Sequence, residues 1–555
     1  MIKQALKNDQ IMQYNSKIEN IEIFVEHACK DLKVDSEILL NYVKSIDIEE
    51  TSDKEVAKIL IGEALKYTNI DNLDWRLVAS RMLMMNLYID AAKSRHYDLQ
   101  YEYNHDYYEF VVDAVKKGLY DTKILDNYTK DEINEIRKEL NQSYDFGFDY
   151  AGMNLLANRY LIKYKGQAFE LPQEMFLSIS LLIALPERKE KRLETAKKIY
   201  HAIGSRKISL ATPIVLNLRK PLGNLSSCFI GAMDDSLDSI YYTLDQLAQI
   251  SKNAGGCGVN ISRIRSSGSY IRGVKGASSG IMPWIKLIND TGVAVNQQGA
   301  RAGAITVALD VWHYDIEEFL HCQTENGDLR KKAFDIFPQI VIPDLFMERV
   351  ENDQEWHLID PNEVKIKFGI QLAELYGDAF REKYEFLEKQ ELDFKKKISA
   401  KELFKSFLKI VVETGMPYVS FKDTMNATNP NKHLGMIGNA NLCTESFSNF
   451  RPSEVRKKEL KEDGTILKEI KSGELHTCNL VSLNLSLAED DEIDYLTALC
   501  VRILDNTIDI SAAPVPEANK HNNEYRILGV GSMGLADWLV KRRLTYSNGI
   551  NQISE

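Results

Sequence analysis

Three side chains in the stretch NANLCTESF, residues 439–447, could act on one substrate: Asn441, Cys443 and Glu445. In an extended chain, positions i, i+2 and i+4 leave on the same face. That spacing would aim an amide, a thiol and a carboxylate at one space. Strand interiors disfavour Asn and Glu, and a carboxylate is costly to bury without a partner or a task. The chemistry suggested is that of a thiol with a proton acceptor and a hydrogen-bonding amide beside it. Seven cysteines are spread along the chain: Cys29, Cys228, Cys257, Cys322, Cys443, Cys478 and Cys500. None forms a C-x-x-C pair or a Cys/His cluster with zinc spacing, so any redox pair must be assembled by the fold. Cys228 in NLSSCFI and Cys478 in HTCNLVSL, like Cys443, sit in short strand-like runs. Each, taken singly, also reads as a small buried hydrophobe.

A second feature is electrostatic. Residues 251–280 hold Lys252, Arg263, Arg265, Arg272 and Lys275 but no acid, although the chain carries a net charge of −12. With Gly255-Gly256 and further glycines, close backbone approach plus Arg forks would make a phosphate site. A solvated basic face with Gly-rich turns is the competing reading. NQQGARAGAIT, residues 296–306, reads as a turn or a ligand-touching loop before a strand.

The elements that must position these groups fall into two textures. Up to about His201 the chain reads as helices. Ser52 and Glu55 stand in capping-box positions, Asp74 as an N-cap, and Pro172 in a first helical turn. From Lys207 onward, short apolar runs alternate with helical stretches, which predicts an α/β domain with mostly parallel strands. The predicted strands are LSSCFIGA, CGVNISRI, AITVALDVW, IFPQIVI, MPYVSF, NANLCTESF and TCNLVSLNL. RPSEVRKKELKEDGTILKEIKSGE is a charged insertion with a turn expected at Asp463-Gly464.

With 555 residues the chain is long enough for two to four domains, and 44% hydrophobic with 27% charged residues is ordinary for a globular protein. The acidic balance argues against broad nucleic-acid binding. No apolar run approaches the roughly 20 residues needed to span a bilayer, and the start lacks a signal-peptide core. A cytoplasmic location with reduced thiols is the default expectation.

Taken together, KISLATPIV, SSCFI, DDSLDSI, GCGVNISRIRSSGSYIRG, QQGARAGAITVALDVWH, NANLCTESF and CNLVSLNL resemble the large (α) subunit of class I ribonucleoside-diphosphate reductases. The resemblance implies a ten-stranded α/β barrel preceded by a helical N-terminal region. It places an ATP-cone-like domain at 1–92, a helical domain at 93–206 and the catalytic barrel at 207–555. It implies reduction of ribonucleoside diphosphates to 2′-deoxyribonucleotides, the precursors of DNA. A thiyl radical on Cys443 would abstract the 3′ hydrogen, Glu445 would take the 3′-hydroxyl proton, and Asn441 would hold the ribose hydroxyls. Cys228 and Cys478 would supply two electrons and end as a disulfide. Thr212, Ser227 and Gly256 would contact substrate. Asp235, Ser236, Leu237, Arg265 and Arg272 resemble the allosteric effector site, Asp235 also being a candidate helix N-cap. Gln297 and Arg301 would relay effector identity to the base. Bound partners implied are dNTP and ATP effectors with Mg2+, a metal-containing β subunit that supplies the radical, thioredoxin or glutaredoxin, and a second copy in a homodimer. No metal site on this chain, no nucleic acid and no membrane are implied.

Two departures shape the expectation. IKQALKNDQIMQYN lacks the basic, Gly-containing opening of an ATP cone, which points to a degenerate cone. The chain stops at RRLTYSNGINQISE, before the relay tyrosines, a phosphate-binding turn and the C-terminal cysteine pair of the family. The barrel is therefore expected to be incomplete, with its last strands missing, and the chain inactive without a complementary C-terminal α fragment. The pairs Tyr107-Tyr108 and Tyr241-Tyr242 read as ordinary helix residues. A cobalamin-dependent class II reductase and a non-catalytic nucleotide-binding fragment are the alternative readings.

Overall fold

The structure is a computed structural model that describes residues 17–45, 51–97, 103, 105–221, 223–295 and 303–549. Gln297, Arg301 and the amino-terminal opening of the expected cone lie outside the described residues. The chain divides into two compact units, Met1–Lys207 and Ile208–Glu555.

The first unit is helical. Helix α1 (Asp53–Lys66) carries the reciprocal Ser52/Glu55 capping box, and α2 (Asp74–Arg95) runs through the boundary expected at residue 92. Asp74 is not the N-cap. Leu73 holds that position without a side-chain bond, because the Asp74 carboxylate instead accepts the Lys33 N–H at 2.9 Å. Val25, Leu39, Leu60, Val78 and Met82 form one core. Pro172 opens α3 (Pro172–Ile183) as expected, and every residue of that helix is buried. Its Glu174 is neutralised by Arg95 at 2.9 Å. Tyr107 lies buried in a helix, Tyr107–Lys116.

The second unit positions the site. Strand β1 (Ile208–Leu210) leads into a short helix, Thr212–Asn217. Strands β2 (Cys228–Ala232), β3 (Gly256–Asn260), β4 (Ile305–Asp310), β5 (Ile336–Ile342) and β6 (Tyr418–Phe421) are neighbours in that order and parallel throughout. They curl into a half-barrel. β7 (Glu454–Leu460) and β8 (Ile466–Lys471) form the exposed charged hairpin, with Gly464 at φ +82° in its turn. A two-residue strand, β9 (His476–Thr477), closes onto β2 antiparallel. β10 (Leu480–Asn484) pairs antiparallel with β1 and parallel with β11 (Gly529–Met533). Among the described residues, β11 is an edge strand.

Parallel strands joined by crossover helices are covered on both faces and read as continuous apolar runs. β4 shows this, with all six residues buried. Helix α4 (Leu237–Lys252) follows β2, and α5 (Met282–Ala294) follows β3. Ile240, Leu247, Ile285 and Ile288 from these helices share one core with Phe229, Cys257, Val259 and Val307 from the strands. Cys257 is thus a packed hydrophobe, and burial pushes its thiol upward. Residues 233–236 join β2 to α4, whereas the longer link 261–281 between β3 and α5 carries Arg263, Arg265, Arg272 and Lys275.

Candidate active site

The stretch bearing Asn441, Cys443 and Glu445 is not a strand, contrary to its sequence pattern; it is a turn. The Thr444 N–H donates to the Asn441 carbonyl at 3.2 Å, and Thr444 sits at φ +61°. The Asn441 side chain is the cause. Its Oδ1 accepts the N–H of Glu445 at 2.9 Å and that of Ser446 at 3.0 Å. Asn commonly binds its own backbone in this way, in competition with strand pairing. Cys443 and Glu445 still converge, now from a loop tip. Asn441 lies beneath them, fully buried, and its Nδ2 has no hydrogen-bond partner.

The loop rests on the sheet through two glycines that alternate along β3. A Cβ on Gly256 would lie 2.9 Å from Leu442 Cδ2 and 3.4 Å from Cys228 Sγ. One on Gly258 would lie 3.3 Å from the Ala440 carbonyl oxygen. Any larger side chain at these places would push the loop off the strand. Gln339 of β5, buried, accepts the Ala440 N–H through Oε1 at 3.3 Å. Sequence reading missed Gly258 and Gln339. The Gly-Cys-Gly alternation of β3 was the available signal for the first.

Cys228 opens β2, beside Gly256 in register. Its Sγ, the Cys443 Sγ and a Glu445 carboxylate oxygen all lie within 4.8 Å of one another. Cys478 directly follows β9 and donates its N–H to the Cys228 carbonyl at 2.9 Å, while its own carbonyl accepts from Ser227 at 2.9 Å. Cys228, Cys478 and Leu442 pack in one buried cluster. Cys443 is exposed, whereas Cys228 and Cys478 are buried. The Cys443 thiol beside Cys228 favours its thiolate, but the Cys478 thiol and burial outweigh that and hold the Cys228 proton on. The cluster is therefore a set of reduced thiols opening at Cys443 to solvent, next to a carboxylate. It could also ligate a soft cation by its donor types, but nothing further favours one.

Of the other expected substrate contacts, Ser227 is half-buried in the same strand pair, and its carbonyl accepts the Gly256 N–H at 2.9 Å. Thr212 opens the helix after β1.

The expected effector residues divide. Asp235 does not cap α4; Ser236 does, accepting the Ser239 N–H at 3.1 Å. Asp235 pairs with Arg265, its Oδ2 2.9 Å from Nε, and also accepts the Arg265 backbone N–H at 3.2 Å. Burial raises the Asp235 carboxyl pKa although Arg265 opposes it. Leu237 is exposed, and Arg272 stands exposed in the Ile271–Val274 hairpin at φ +49°. The basic stretch is less free than its composition suggests. Acids remote in sequence meet it: Glu374 lies 2.5 Å from Arg263, and Asp393 lies 2.7 Å from Lys275. Tyr241 and Tyr242 lie in α4, and Tyr242 donates to Glu517 at 2.8 Å.

Residues 226–551 match the family described as "Ribonucleotide reductase, barrel domain", and residues 146–223 match "Ribonucleotide reductase, all-alpha domain". The chain belongs to the ribonucleotide reductase large-subunit family. It is 47% identical over 543 residues to the ribonucleoside-diphosphate reductase subunit alpha of Synechocystis sp., covering 97% of this chain and 67% of the relative. Identity to the corresponding subunit of Treponema pallidum is 37%, over 90% of this chain and 60% of that protein. For Helicobacter pylori the figures are 32%, 97% and 72%. The chain thus spans roughly two thirds of the length of the reductase subunits it matches. Membership accounts for the half-barrel of parallel strands. Among the described residues no helix is long and apolar enough to cross a membrane.

Proposed function

We propose that this chain carries the thiol centre of a ribonucleoside-diphosphate reductase and works together with a radical-generating β subunit. The observation that carries the reading is the convergence of Cys228, Cys443 and Glu445 within 4.8 Å, with Cys478 hydrogen-bonded to the Cys228 backbone. Three thiols from three remote segments meet beside one carboxylate.

In the proposed reaction Cys443, as a thiyl radical, takes the hydrogen atom from ribose C3′ and becomes a thiol. S–H and C–H bonds are close enough in strength for that exchange to reverse. Glu445 takes the 3′-hydroxyl proton as general base. The 2′-hydroxyl leaves as water, and Cys228 and Cys478 together give two electrons and two protons as they close a disulfide. Glu445 returns its proton to the 3′ oxygen, and Cys443 then returns its hydrogen atom to C3′. The buried, unpartnered Asn441 Nδ2 supports a role for that amide in donating to a ribose oxygen; Oδ1 is already engaged by the loop. An external dithiol protein of the thioredoxin or glutaredoxin class would reopen the disulfide. The Asp235–Arg265 pair and exposed Arg272 are proposed to receive a dNTP effector with its Mg2+ in a homodimer.

The test complements the α subunit that carries this chain with a β subunit, then assays CDP reduction. The reading expects activity only in the complete mixture, and none with Cys443→Ser. Activity of the complete mixture that survives Cys443→Ser would remove the radical role.

A further inference from the structure

His476 stands two residues before Cys478, so the two side chains share one face of an extended segment. Its Nε2 lies 2.8 Å from the Ser446 Oγ and 4.0 Å from the Cys478 Sγ. Ser446 belongs to the turn that carries Cys443 and Glu445, since it donates its N–H to Asn441. One imidazole therefore spans the catalytic turn and the redox strand. The ring is fully buried, and its Nδ1 has no hydrogen-bond partner. Burial and the neighbouring His521 hold it neutral. A neutral ring has one N–H and one bare nitrogen. Leaving an N–H unpaired in the interior costs more than leaving a lone pair unpaired. The proton is thereby assigned to Nε2, where two acceptors face it.

We infer that His476 is a positioning residue for the redox pair: its Nε2–H is shared between Ser446 Oγ and Cys478 Sγ and stabilises the thiolate that Cys478 becomes when the disulfide opens. This rests on the reductase reading of Cys228 and Cys478. When an external dithiol attacks, its thiolate forms a bond to the Cys228 sulfur. The Cys228–Cys478 bond breaks, and the electron pair goes to the Cys478 Sγ. The Nε2–H bonds that anion without leaving nitrogen, and the proton that finally restores the thiol comes from solvent. The second thiol of the reductant then displaces Cys228 and closes the reductant's own disulfide. Other titratable groups around the pair are Cys228, Cys443 and Glu445 on the sulfur side. Behind the imidazole are His521, its ring centroid 5.0 Å away, then Tyr525 stacked on His521, and Glu474.

The test is the reduction potential of the Cys228–Cys478 pair in the whole chain. It is equilibrated with dithiothreitol redox buffers from acid to alkaline pH, acid-trapped and read by mass spectrometry. The slope of potential against pH halves where the first thiol ionises. That break is expected to move up in His476→Phe and back toward the parent value in His476→Gln, whose amide can donate. It should move down in Ser446→Ala, which leaves Nε2–H to the sulfur alone. Circular dichroism confirms that each variant is folded. A break unmoved in His476→Phe, or Ser446→Ala moving it the same way as His476→Phe, overturns the role of His476 and leaves the reductase reading standing. Failure of the parent pair to form a disulfide at any potential overturns both.

Discussion

The Cys478 N–H donates to the Cys228 carbonyl at 2.9 Å, so two cysteines remote in sequence are locked side by side by the backbone of adjacent strands. Neither thiol depends on a mobile side chain to find the other. The pairing follows from the register of β9 on β2, which sets Thr477 against Phe229 and His476 against Ile230.

Glu445→Gln in the complemented enzyme is expected to lower kcat by roughly 10²–10⁴-fold, the usual worth of a general base, with little change in KM. Steady-state CDP reduction checks it. A rise in KM with kcat intact would make Glu445 a binding group only.

Asn441 separates scaffold from chemistry. Asn441→Ala removes the oxygen that holds the Glu445 and Ser446 N–H groups and is expected to cost about 1–3 kcal/mol in urea unfolding. Asn441→Asp keeps that oxygen but loses the Nδ2 donor. It should stay closer to parental stability and still lose activity. Full activity in Asn441→Asp would contradict a donating role.

Gly256→Val would place carbon against Leu442 and Cys228, where a Cβ already lies 2.9 Å from the leucine. Overpacking of this kind costs typically about 1–3 kcal/mol. The loop should lift, lowering both thermal stability and CDP reduction. An unchanged melting temperature would show that the loop does not rest on the strand.

His521 gives a pH signature. Burial lowers its pKa from 6.5 to about 4. The unfolded chain therefore binds the proton first as pH falls, and folding stability drops through the window from 6.5 to about 4. Full loss corresponds to about 3 kcal/mol. Asp145, pushed up to about 7 by burial, acts in the opposite direction. The measurement is accordingly the difference between parent and His521→Phe in urea unfolding at pH 7 and pH 5. The parent should lose more on acidification than the variant; equal losses would mean that His521 is not held neutral.

The five parallel strands were legible because each is a short apolar run between helical stretches, as in AITVALDVW and IFPQIVI. The charged hairpin was legible from Asp463-Gly464. The site residues were legible as types, but not in their geometry. Asn441-x-Cys443-x-Glu445 has strand periodicity, yet the amide of Asn441 captures two backbone N–H groups and bends the segment into a turn. Nothing local in Asp235 predicts that it will face Arg265 rather than cap a helix, because the next residue, Ser236, is an equally good cap. The basic stretch looked uncompensated since Glu374 and Asp393 lie far along the chain. His476 gave no signal at all: its meaning depends on Ser446 and Cys478 meeting it in space.

The most direct measurement is a single turnover without external reductant. The complemented enzyme is reduced, freed of dithiol, given CDP, quenched in acid and mapped by mass spectrometry. The account predicts about one deoxycytidine diphosphate per active site, matched by a Cys228–Cys478 disulfide and by Cys443 recovered as a free thiol. Product formed while Cys228 and Cys478 remain thiols would contradict it.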